Sequence, residues 1–125
     1  MSGTPRRMAG LRSDEARRMA REALSADGMG ERLVDDVLLV VSELVSNAVR
    51  HAGGVTDFHV RHLPDCVAVE VSDASSLCPC APEKPVEVPG GFGWLLVNRI
   101  ADRTEIRRGF GGKTITAFIP LAAAC

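Results

Sequence analysis

Residues 31–52 limit what this chain can fold into more than any other stretch. Val34, Val37, Leu38, Val41, Leu44, Val45, Ala48 and Ala52 recur at three- and four-residue spacing, which is the period of a helix with one wide apolar stripe. Gly53 and Gly54 then stop it, because glycine takes the left-handed conformation in which helices end. A long helix with one apolar face has to lie against a second layer. The remaining elements must supply that layer.

Around this helix the pattern alternates between helical and extended periods. Ser13 is a candidate cap for a helix over residues 13–24, with Asp14 and Glu15 in its first turn where the dipole favours acid. Residues 55–63 and 66–72 are rich in β-branched side chains and flank Pro64-Asp65, which reads as a hairpin. Residues 91–102 read as a third helix with Leu95, Leu96, Val97 and Ile100 inward. Residues 103–108 and 113–119 form a second hairpin about Gly109, Gly111 and Gly112. Hairpins interleaved with helices predict an α+β fold: a two-layer sandwich of one mixed, mostly antiparallel sheet with helices on one face. Residues 74–89 carry four prolines and no periodicity, so a long mobile loop is expected there.

The whole chain has 125 residues, the size of one domain. Residues 1–10 are expected to be a flexible N terminus and residues 122–125 a tail. Fifteen Lys and Arg balance sixteen Asp and Glu, so the basic footprint of a nucleic-acid binder is missing. The longest aliphatic run, residues 37–41, is too short to span a bilayer, and no secretory signal precedes it. The expected location is the cytoplasm, with the four cysteines as free thiols.

Candidate chemistry gathers at four places. Glu43 and Asn47 are four residues apart, about 40° around a helix axis, and are expected to project together opposite the apolar stripe with Ser46 and Arg50 beside them. A carboxylate base next to an amide oxygen suits Mg²⁺ chemistry, although a solvated polar face is the commoner use of such a pair. Asp73 ends an apolar strand, where its carboxylate can accept a bond from an exocyclic amine such as that of adenine or simply start a turn. On the first of these readings Asp73→Asn is expected to weaken adenine binding with little effect on folding. Gly90, Gly91 and Gly93 precede a helix, whose free N–H groups attract phosphate.

Two tempting motifs fail. Gly112-Lys113-Thr114 looks like the end of a phosphate-binding P-loop, but the loop's first glycine would fall on Arg107 and a strand follows where a helix is required. Cys78-Pro79-Cys80 lacks a second paired set of zinc ligands. His51 at a helix end suits the dipole better than catalysis.

In order along the chain, the run from Glu43 through Asn47 to Ala52, then Val71-Ser72-Asp73, Gly90-Gly91-Phe92-Gly93 and Gly112-Lys113-Thr114 closely resemble the GHKL ATPase superfamily. The nearest branch is the bacterial anti-sigma-factor serine kinases, and the likeness covers residues 11–121. The resemblance implies a Bergerat-type ATP-binding domain. It assigns Glu43 as general base, Asn47 as Mg²⁺ ligand, Asp73 as the adenine contact, the Gly90, Gly91 and Gly93 turn as phosphate cradle, Thr114 as a support for adenine through water, and residues 74–89 as an ATP lid. It also implies phosphorylation of an anti-sigma-antagonist-like partner, with a sigma factor as a second partner and homodimerisation left open.

The sequence departs from the pattern at two points. Ala74-Ser75-Ser76 follow Asp73 where the superfamily has a glycine-containing run, and Phe92 and Trp94 stand where arginine and an aliphatic residue are common. No Arg or Lys lies between Lys84 and Arg99, so the glycine turn brings no cation of its own. The alternative is therefore a regulatory binding module, gated by nucleotide or free of it, without kinase activity. No helix with a phosphoacceptor histidine precedes residue 13, so a stand-alone domain is expected rather than a histidine kinase fragment.

Overall fold

The computed structural model describes residues 10–26, 28–75, 91–109 and 111–121. Three helices, α1 (Ser13–Ala26), α2 (Glu31–Ala52) and α3 (Gly91–Ile100), are joined by four strands, β1 (Val55–His62), β2 (Cys66–Asp73), β3 (Arg103–Gly109) and β4 (Gly112–Pro120). The sheet order is β1-β2-β4-β3 and every pairing is antiparallel, so the expected mixed sheet contains no parallel pair among the described residues. The α+β layering is as the periodicities predict. All but the first two residues of the expected lid, Ala74 and Ser75, fall outside the described residues, as do Gly90, Cys78, Cys80 and residues 122–125.

One core lies between the layers. On α2, Val34, Val37, Leu38, Val41, Leu44, Val45 and Ala48 are buried together with Val40. They meet Val67, Val69 and Val71 of β2 and Ile115, Ala117 and Ile119 of β4 in the same cluster. Ala16, Ala20 and Leu24 bring α1 against α2 at four-residue intervals. Among the described residues the opposite sheet face carries no helix and is covered instead by long side chains: Glu70 pairs with Arg61 at 3.0 Å and with Arg107 at 3.8 Å, and Arg103 lies 3.9 Å over the Phe118 ring.

Two local expectations shift. The first helical carbonyl belongs to Arg12, which accepts from the Ala16 N–H at 2.9 Å, and Glu15 Oε1 reaches back to the Arg12 N–H at 3.1 Å. Arg12 thus holds the cap position with half of a capping box, and the Ser13 hydroxyl is spent on Ser46 of α2 at 3.3 Å. On α3, Leu95 is 62% exposed while Val97 is fully buried. Residues 95–97 span about 200° of a helix, so they cannot all face one layer.

The core also orients the ends of the elements. Gly53, at φ 78°, ends α2, and Gly54 leads into β1, whose Val55 pairs with Asp73. Arg103 pairs with Phe118, at the other end of β4 from Lys113. Only Ala101 and Asp102 join α3 to β3, and Trp94, Val97 and Ile100 along α3 pack on the core, so α3 lies back along the layer with its glycine-bearing start toward the Asp73 end. The α2 C terminus, the end of β2 and the start of α3 therefore share one end of the molecule.

Candidate functional site

The strand alternation decides which side chains meet at that end. Val67, Val69 and Val71 face the helices, and the same parity carries Asp73 inward. On β4, Ile119, Ala117 and Ile115 do the same and carry Lys113 inward, in register with Asp73. Both residues are 5% exposed. Lys113 Nζ donates to Asp73 Oδ2 at 2.9 Å and Oδ1 at 3.1 Å, with a longer contact of 3.5 Å to the Ser75 carbonyl. The Ser75 N–H donates to Asp73 Oδ1 at 2.8 Å, the Asx-type turn that an aspartate at a strand end favours.

Thr114 is placed differently from the role the resemblance gives it. Its hydroxyl pairs with Ser72 at 2.8 Å, and by alternation both sit on the helix-free face, away from the Asp73 carboxylate. It ties β4 to β2 beside Asp73. The Asp73 carboxylate has Lys113 as its side-chain partner instead.

On α2 the second half of the site is less solvated than a polar face would be. Asn47 is 5% exposed and stands two turns after the fully buried Val40, so it lies at the margin of the apolar stripe and not opposite it. Its Oδ1 accepts a long bond from Arg50 Nη2 at 3.4 Å. Glu43, one turn earlier, is half-buried. Ser46 does not join them, since it faces α1 through Ser13, and Ser42 likewise binds Arg17 Nη1 at 3.0 Å. Gly91 and Gly93 fall in the first turn of α3, where unpaired N–H groups suit an anion.

An open cleft of about 310 Å³ adjoins the ion pair, lined by Ser72, Asp73, Arg107, Arg108, Lys113, Thr114 and the glycines of the β3–β4 turn. Glu43 and Asn47 do not line it. Among the described residues no three His, Cys, Asp or Glu side chains converge on a metal position. An amide oxygen beside one carboxylate is instead a sparse, hard donor set, which fits Mg²⁺, a cation that keeps waters and takes phosphate oxygens.

Sequence reasoning missed Lys113. The signal was present: two alternating apolar runs, 67–71 and 115–119, each extend by one step of the same parity into opposite charges. Reading it needs the β2–β4 register, which joins residues 40 apart.

The chain belongs to the histidine kinase-like ATPase domain family, whose pattern it matches over residues 7–119. Among solved structures it is similar to the Acinetobacter baumannii histidine kinase AdeS, with a TM-score of 0.51 and 16% identity over 72% of this chain. The likeness shows a shared fold. This chain covers 48% of that structure, about half its length. No curated protein matches the sequence.

Proposed function

We propose that this domain binds Mg-ATP and acts as a serine/threonine protein kinase of the anti-sigma-factor type, phosphorylating an anti-sigma-antagonist-like partner, with a sigma factor as a second partner. Family membership supports the nucleotide, and the order of motifs supports the branch. The observation that carries the chemistry is the buried Asn47 one turn after the half-buried Glu43. On a merely solvated helix face both would stand in water.

In this reading Asn47 holds the cation through its amide oxygen. Asp73 meets the base, and the first N–H groups of α3 at Gly91 and Gly93, together with Gly90, receive phosphate. Bound Mg²⁺ would offset charge on the triphosphate. Glu43 accepts the serine hydroxyl proton as the serine Oγ–P bond forms and the bond from γ-phosphorus to the ADP oxygen breaks. Thr114 supports the site indirectly, by fixing Ser72 next to Asp73.

The cation-free stretch from Pro85 to Asn98 favours a second reading, a regulatory module that binds nucleotide without turning it over. Incubation with γ-labelled ATP and candidate partner, beside Glu43→Ala, separates the two. Kinase activity predicts partner labelling that falls at least about a hundredfold in the variant, the scale of a lost general base. Equal labelling removes Glu43 from the reaction, and no labelling with retained ATP binding selects the module.

A further inference from the structure

We propose that Lys113 sets the base preference of this site: by holding Asp73 it relaxes discrimination between adenine and guanine. The inference rests on the nucleotide reading above and concerns which purine that site accepts. A bare carboxylate accepts from the adenine amine and repels the carbonyl oxygen that guanine presents at the same position. Here the carboxylate is not bare. Lys113 Nζ lies within 3.1 Å of both Asp73 oxygens, and both side chains are almost wholly buried, at 4% and 3% exposure. A ligand therefore meets a neutral pair.

The bonding inventory gives each purine a partner. A carboxylate has about four acceptor positions; among the described residues Oδ1 takes Lys113 and the Ser75 N–H, while Oδ2 takes Lys113 alone. Oδ2 keeps a position for the adenine amine. The ammonium has three N–H donors, of which the one toward the Ser75 carbonyl is held only at 3.5 Å. That donor is free to turn to a guanine carbonyl at little cost. Asp73 and Lys113 both border the open cleft at this end of the sheet.

Calorimetric titration of the unmodified protein with Mg-ATP and with Mg-GTP tests this without a mutation. The inference predicts dissociation constants within about tenfold of each other, against the far larger rejection expected of a site whose polar group is left unpaired by the wrong ligand. ATP preferred by more than about tenfold overturns the inference and leaves the nucleotide reading standing; binding of neither nucleotide overturns both. In folded Lys113→Met protein, the ratio of GTP to ATP dissociation constants should rise at least about tenfold as the carboxylate is unmasked. A purely structural pair would weaken both nucleotides alike and leave that ratio unchanged. Should this variant fail to fold, the ratio in the unmodified protein still decides.

Discussion

Asp73 shows how one buried partner changes what a residue is expected to do. As a strand-end carboxylate facing a ligand, it could be replaced by asparagine without loss of stability. With Lys113 beside it at 2.9 Å and 5% exposure, that substitution strands an ammonium in the interior, which costs about 3–5 kcal/mol. Asp73→Asn and Lys113→Met should each lower the urea midpoint, and the double variant should lose clearly less than their sum. Additive losses would show that the two side chains act separately. Cys66 offers a second test at this scale. Burial first, then the Asp65 carboxylate, push its thiol pKa up. Less thiolate forms at neutral pH, so peptide-resolved alkylation at pH 7.5 should modify Cys66 more slowly in the folded protein than in urea, with the gap closing as pH rises. Equal rates would contradict the shift.

Among the elements, α2 was legible almost to the residue, because its stripe and its terminal glycines obey rules that need no knowledge of the rest of the chain. Leu44, 1% exposed in that stripe, should cost about 2–5 kcal/mol when cut to alanine, read as a lowered thermal midpoint; a cost under about 1 kcal/mol would place it outside a packed core. The β3–β4 turn was legible as a turn but not for its main constraint. A Cβ on Gly112 would lie 2.3 Å from the Asp73 carbonyl oxygen, a backbone atom that cannot swing aside. Gly112→Ala should therefore destabilise by about 1–3 kcal/mol, whereas the same change at Gly109, with open space around it, should be much milder. Similar losses at both would refute the close approach. Register is the common reason for what the sequence hid. The faces of Thr114, Lys113 and Gly112 follow from pairing with β2, and Ser46 left the Glu43 side only because α1 packs where it does.

At the scale of the whole molecule, the two-layer fold brings three separate stretches of chain to one end. The helix that carries Glu43 and Asn47 hands over there to β1, β2 finishes there at Asp73, and α3 starts there with Gly91 and Gly93. Each stretch alone has an ordinary structural use, as solvated face, turn and helix start. Their convergence, in a member of the histidine kinase-like ATPase domain family, is the ground for the proposed nucleotide site. No helix among the described residues is long and apolar enough to cross a membrane. The proposed function requires this end of the domain to bind a metal-complexed nucleotide. Isothermal titration with ATP in excess Mg²⁺, repeated in EDTA and with Asn47→Ala, measures it most directly. Saturable binding of about one ATP per chain is expected, weakened at least about tenfold in both controls because EDTA removes the cation and Asn47→Ala removes a ligand to it. Absence of binding at millimolar ATP, or affinity indifferent to both Mg²⁺ and Asn47, would contradict it.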